Sequence, residues 1–279
     1  MKEFNLMIDY TDVNARTIDK WVEAGWEWSV PVTREAYAAA KVGDWDVGLT
    51  PIKRVPKAWF NPFINDNRLR GARLLGLASG GGQQMPIFAA AGADCTVLDN
   101  SLKQLENERI VSEREGYEIK IIRADMTKRL PFEDGSFDII FHPVSNVYIE
   151  DVHHVWNECF RLLAAGGVLL SGLDNGINFV IEDPTATPMV ITGRLPHNPL
   201  KLPEAELKKI AEGPDGIQFS HTLEDQIGGQ LRAGFVITDV YEDLDNFPES
   251  IASGIPLYWA SRAVKPLSAE DGKIIFMRG

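Results

Sequence analysis

Cysteine is nearly absent. Cys95 and Cys159 are the only two in 279 residues. Both lie in apolar segments with no His or Cys at ligand spacing, which argues against a disulfide framework and a zinc site; reduced core thiols are expected. Excess positive charge is missing as well, since 28 Lys and Arg stand against 40 Asp and Glu, a formal net charge of −12. A nucleic-acid binder displaces phosphate counterions with a basic footprint, so no nucleic-acid partner is expected. No apolar run reaches the roughly 18 residues of a membrane span. The opening MKEFNLMIDYTD is too acidic and too short in apolar length for a signal peptide, so a cytoplasmic location is expected. His153 and His154 are adjacent on a predicted helix and point to different faces, so they form no metal pair; no metal is expected.

What the chain does have is alternation. ARLLGLA, DCTVLD, IKIIRAD, FDIIFHPV and GVLLSGL read as buried strands. Between them run helical segments: MPIFAAAG stopping at Gly92, SLKQLENERIVSEREG stopping at Gly116, and EDVHHVWNECFRLLAAGG. Ser101 with Gln104 and Thr222 with Asp225 are capping signatures. FVITDVYED and LYWASRAVKP add two strands, and Gly228-Gly229 interrupts the helix before them. The pattern predicts an α/β fold: a Rossmann-like, doubly wound, mostly parallel seven-stranded sheet with helices on both faces. Residues 1–70 are expected as an N-terminal helical, aromatic lid segment, holding five of the seven tryptophans. Residues 71–279 are expected as the main domain, with residues 174–220 inserted after strand five as a cap holding a short helix at KLPEAELKKIAEG.

LLGLASGGGQQ, residues 74–84, places three consecutive glycines where strand one should give way to a helix. In open α/β sheets ligands bind there, beyond the carboxyl ends of the strands. A phosphate-binding P-loop needs Gly-Lys-Ser/Thr, and Gln83-Gln84-Met85 follows Gly82 instead. A dinucleotide fingerprint beginning at Gly80 and Gly82 has Met85 where its third glycine belongs. Asp99, at the end of strand two, is placed to accept from the ribose hydroxyls of any adenine nucleoside, and Asp125 from an adenine amino group.

Taken in order, LLGLASGGGQQ, VLDNS, ADMTKRLPFEDGSFDIIFHPVSN and FRLLAAGGVLLSG resemble the successive motifs of class I S-adenosylmethionine-dependent methyltransferases. Within them the chain is similar to the methyltransferase-11, UbiE-like branch, strongly over about residues 70–175 and more loosely over 222–265. The resemblance implies S-adenosylmethionine as cofactor. It implies that Ala78, Ser79, Gly80, Gly81 and Gly82 run past the methionine moiety, that Asp99 takes the ribose hydroxyls with Asn100 beside it, and that Asp125 and Met126 flank the adenine. His142 is expected to face the methyl group and the acceptor, as a positioning group or general base. The family has Asp or Glu where Gly76 stands and Gly where Ala78 stands. The cofactor's ammonium is therefore expected to use Gln83 or a backbone carbonyl.

Asn146, Tyr148, Asn175, His221 and Trp28 are the expected acceptor-side residues, and Asp174 borders the same crevice by position. The expected reaction is methyl transfer to a small-molecule acceptor. The alternatives are a nicotinamide-dependent oxidoreductase and a protein that binds S-adenosylmethionine or S-adenosylhomocysteine without turnover.

Overall fold

The computed structural model describes residues 8–181, 183, 186, 188, 190–245 and 254–267. Five positions of the expected insertion, 182, 184, 185, 187 and 189, lie outside them. Seven strands form one sheet: β1 (Arg73–Leu77), β2 (Asp94–Asp99), β3 (Lys120–Arg123), β4 (Phe137–His142), β5 (Leu163–Asp174), β6 (Val236–Asp243) and β7 (Tyr258–Val264). Their order is β3-β2-β1-β4-β5-β7-β6, and β7 alone runs antiparallel to its neighbours. The chain winds outward from β1 to β3, then returns to lay β4 against the other edge of β1. That reversal opens a crevice at the carboxyl ends of β1 and β4.

Period-two alternation explains why the central strands read as continuous apolar runs. Leu74, Ile139, Phe141 and Leu170 pack into one core with Phe88 of α3 (Gln84–Ala90) and Leu105 of α4 (Leu102–Glu115). Leu75, Leu77, Ile140 and Leu169 pack into the other, with Trp156 and Cys159 of α5 (Val152–Leu162). Both faces are buried, so neither needs polar residues.

The first seventy residues divide. Trp45, Val47, Leu49, Trp59 and Phe60 belong to the first core, packed with Phe88 and Phe141. Only α1 (Tyr10–Glu23) and the turn that follows it lie over the crevice; α2 (Arg34–Lys41) packs beside α3. The expected short helix in the insertion is α6 (Glu204–Ala211).

Thr222 and Asp225 cap each other reciprocally: Thr222 Oγ1 accepts the Asp225 N–H at 3.0 Å, and Asp225 Oδ2 accepts the Thr222 N–H at 3.1 Å. Ser101 does only half of this. Its Oγ accepts the Gln104 N–H at 3.1 Å, but its own N–H goes to Asp99 rather than to the Gln104 side chain. The helix expected over 222–234 opens as a wide π turn, Glu224–Gly228, before α7 (Gly229–Ala233). A β-carbon on Gly229 would stand 2.6 Å from Trp156 Cδ1, so the helix reaches the core only because that residue is glycine.

Alanine is worth about 1 kcal/mol more than glycine in a helix interior, while overpacking costs about 1–3 kcal/mol. Overlap with a buried tryptophan should decide the sign. Gly229→Ala is expected to lower stability by about 1–2 kcal/mol in urea denaturation.

Candidate active site

The glycine turn does not offer its N–H groups to a ligand. Gly80 N–H donates to Asp99 Oδ2 at 3.1 Å, Gly81 N–H to the Gln104 carbonyl at 2.9 Å, and Gly82 N–H to Glu108 Oε1 at 2.7 Å. Backbone phosphate sites do the opposite, converging successive N–H groups on the anion. Here every glycine donor is consumed, two of them by carboxylates, so the turn suits a cationic ligand and disfavours a phosphate. Glycine is needed for the closeness: a β-carbon on Gly80 would stand 2.7 Å from Gln104 Cβ, and one on Gly82 would stand 2.8 Å from Val111 Cγ2.

Just before the turn, Ala78 holds φ +48°, a left-handed conformation that suits glycine. The missing acid at Gly76 has a steric counterpart, because a β-carbon there would lie 2.5 Å from the sulfur of the buried Met85. Strand β1 and α3 meet through that thioether.

Asp99 closes the crevice on the β2 side. It is 8% exposed, its Oδ1 accepts the Ser101 N–H at 2.9 Å, and burial raises its carboxyl above the usual range. Asp125 is half-buried, its Oδ1 accepting the Thr127 N–H at 2.8 Å, and Met126 beside it joins the second core. Ser79 is buried, its hydroxyl 3.3 Å from Gln84 Oε1. These residues fit a nucleoside whose charged end is a cation: a carboxylate beside a backbone turn, with an apolar side chain and a second carboxylate one strand further out.

Helix α1 roofs the crevice through polar contacts. Asn14 Nδ2 donates to the carbonyls of Tyr148 (2.9 Å) and Ile217 (2.8 Å), and its Oδ1 accepts the Ile217 N–H at 2.7 Å. Asp19 accepts from the Ser101 hydroxyl at 2.6 Å and the Lys103 N–H at 3.0 Å. Trp21 packs 6.2 Å from the half-buried Tyr148, whose hydroxyl burial drives upward in pKa.

Several expected residues serve the scaffold instead. His142 is fully buried, Nδ1 lying 2.9 Å from the Leu77 carbonyl and Nε2 2.8 Å from Asn146 Oδ1, with its ring edge-on to Trp156. With both nitrogens engaged and burial lowering its pKa, it is not free to take a proton from an acceptor. Asn146 continues the same chain, Nδ2 donating to Gln226 Oε1 at 3.0 Å, and Gln226 Nε2 donates to the Asp174 carbonyl at 3.2 Å. Gln83 Nε2 donates to the carbonyls of Glu27 and Val30, which ties the glycine turn to the segment after α1. Asn100 ties to the roof by donating to the Thr11 carbonyl at 3.2 Å. Asn175 shapes a turn, donating to the Pro256 carbonyl and accepting the Ile177 N–H. Trp28 is 37% exposed, and its carbonyl rather than its ring faces Gly81.

His221 shares its Nε2 hydrogen between the carbonyls of Asn146 and Ile149, 3.0 Å from each. It lines a cleft of about 150 Å³ with His153, His197, Phe219 and Asp225. Among the described residues no group of three or more His, Cys, Asp or Glu is gathered to hold a metal, and no helix is long and apolar enough to cross a membrane.

Two carboxylates matter more than their sequence context suggested. Asp174, at the carboxyl end of β5, is 5% exposed; burial pushes its carboxyl up to about 6 against the bonds donated by Gly176 N–H and Asn178 Nδ2. Glu108 is fully buried. The available signal was its place on the α4 stripe with Gln104, Leu105 and Val111, where an apolar residue is the ordinary choice.

Residues 75–171 match the family described as Methyltransferase domain. The chain is 44% identical over 255 residues to the uncharacterized methyltransferase YbaJ of Bacillus subtilis (strain 168), covering 90% of this chain and 97% of that one. It is 31% identical to a sterol 24-C-methyltransferase of Aspergillus fumigatus over 101 residues, 35% of this chain and 26% of that one. An S-adenosylmethionine-dependent methyltransferase structure from Mesorhizobium loti superposes with a TM-score of 0.57 at 20% identity, over 75% of this chain and 98% of that one, which is a likeness of fold.

A non-glycine residue held left-handed costs on the order of 1 kcal/mol, partly offset by the chain entropy a glycine would add to the unfolded state. Ala78→Gly is expected to leave stability unchanged or raise it by up to about 1 kcal/mol in urea denaturation. A loss beyond about 1 kcal/mol would contradict the strain assigned to this position.

Proposed function

Because the chain belongs to the class I S-adenosylmethionine-dependent methyltransferases, we propose that its acceptor is a small molecule enclosed between α1, the residue 174–220 insertion and the carboxyl ends of β4 and β5. The observation that carries this reading is the roof. Asn14 makes three hydrogen bonds that bridge α1 to the Tyr148 turn and to Ile217, which supports an enclosed acceptor rather than a polymer. The acidic balance of the chain, −12, supports the same reading. Family membership does not favour a nicotinamide oxidoreductase or a protein without turnover.

Bound S-adenosylmethionine supplies a methyl group on a sulfonium, already an activated leaving group, so the protein's task is position and electrostatics. In this reading Asp99 takes the ribose hydroxyls, each of its oxygens having acceptor capacity beyond the Gly80 and Ser101 bonds. Asp125 and Met126 flank the adenine, and the carbonyl side of the glycine turn receives the methionine end. On the acceptor side, Tyr148 orients the ligand, and Asp174, whose oxygens keep acceptor capacity beyond the Gly176 and Asn178 bonds, takes the place of His142 as the general base. A carboxyl near 6 is largely ionised at neutral pH yet basic enough to take a proton. Water exclusion by the roof strengthens each of these interactions.

Assays for S-adenosylhomocysteine formation with panels of phenols, amines and carboxylic acids should find turnover, and bulk tRNA or protein should give none. Turnover on a macromolecule alone would sink the small-molecule reading. Asp99→Ala should weaken S-adenosylhomocysteine binding by at least about tenfold in calorimetry, the loss expected when a buried charged acceptor is removed. The base must be ionised to act, so kcat should rise with pH through about 6 and then level off. Asp174→Asn should lower kcat about a hundredfold or more and remove that limb; an unaltered acid limb would show that another group titrates.

A further inference from the structure

Glu108 lies on α4 with no exposed surface. Oε1 accepts the Gly82 N–H at 2.7 Å, and Oε2 is buried without a partner. No cation pairs with it among the described residues. The titratable groups that face it are Asp99 and Cys95 of β2, and Tyr117 just past the end of α4, whose hydroxyl is also buried and unpartnered. Burying a carboxylate this way is costly, and an amide oxygen would serve Gly82 equally well. A single N–H acceptor therefore does not account for an acid here.

Its neighbours do. Glu108 holds the last glycine of a turn whose first glycine is held by Asp99, and Gln104, one helical turn earlier, holds the middle one. On the function proposed above, on which this inference rests, the ligand of this turn is a sulfonium before methyl transfer and a neutral thioether afterwards. A carboxyl behind the turn that can ionise attracts the first and not the second. We propose that Glu108 is a positioning residue of the glycine turn, and that its carboxylate lets the site hold the cationic methyl donor more tightly than the neutral product. Burial pushes the carboxyl up to about 8, the Gly82 bond opposing and Asp99 adding to the rise. Near neutral pH it is largely protonated, so a cation arriving at the turn favours its ionisation and expels a proton.

The test is calorimetry on the whole protein and on Glu108→Gln, with S-adenosylmethionine and S-adenosylhomocysteine, at about pH 7.5 in two buffers of different ionisation enthalpy. The wild type should release more protons on binding S-adenosylmethionine than on binding S-adenosylhomocysteine. Glu108→Gln should bind the product within about twofold of wild type, lose the extra proton release, and lose about threefold or more of its preference for the donor. Equal donor-to-product ratios and equal proton release in the two proteins would overturn the proposal.

A ligand-free readout guards against a merely structural effect. Between the unfolded value of about 4.3 and the folded value of about 8, the folded state binds the extra proton, so Glu108 makes wild-type stability fall as pH rises and has no further effect above about 8. Asp99 adds the same kind of slope to both proteins and drops out of the comparison. The melting temperature of Glu108→Gln should therefore gain on wild type as pH rises to about 8 and hold steady beyond. Parallel curves would remove the buried charge on which the proposal stands.

Discussion

Three consecutive amide hydrogens, on Gly80, Gly81 and Gly82, are taken up by Asp99, the Gln104 carbonyl and Glu108. That constraint orders much of what surrounds it. It requires α4 to pass so near the turn that no β-carbon fits, which is why the three residues are glycine. It requires a carboxylate at the carboxyl end of β2, whose other oxygen holds the Ser101 N–H at the start of the same helix. It also sets the sign of the site. Donors spent inward leave a turn with acceptors behind it, and a ligand with a positive charge is then matched where a pyrophosphate would not be.

The roof follows a different physical logic from the floor. Below the crevice, Trp45, Trp59, Phe60 and Phe88 hold the N-terminal segment to the sheet by apolar burial, an interaction without direction. Above it, α1 adds the directional bonds of Asn14, Asp19 and the Asn100 side chain to the packing of Tyr10 on Phe219 and of Trp21 on Tyr148. Hydrogen bonds of this kind contribute about 1 kcal/mol each on balance, because water replaces them when they break. One polypeptide segment therefore combines a base held by apolar burial with a cover to which directional bonds add their share.

The fold was legible because its signals are local. Apolar runs of five or six residues, helices stopped by Gly92 or Gly116, and caps at Ser101 and Thr222 need no knowledge of distant contacts. The site was legible only in part. The glycine turn and Asp99 stand where the motif order put them, yet the sequence could not say which way the N–H groups of the turn face. His142 reads as a strand-end positioning group or base facing the acceptor until Leu77 and Asn146 are seen beside its two nitrogens. Gln83, Asn100 and Asn175 are polar residues beside a crevice, and each found a backbone carbonyl first, as side-chain amides commonly do. Glu108 went unread because α4 has an otherwise ordinary polar composition. Only the partner of its one bonded oxygen, supplied by a turn 26 residues earlier, gives it meaning.

The division of the N-terminal segment also sorts its tryptophans by surroundings. Trp45 and Trp59 lie in the core with Trp156, while Trp21, Trp26 and Trp28 sit on or beside the roof with part of their rings reaching water. Leaving aside the half-buried Trp259 of β7, the protein thus carries two families of indole emitters: a buried set shielded from water, and a quencher-accessible set beside the crevice. Its own light separates movement of the cover from melting of the body, with no label attached.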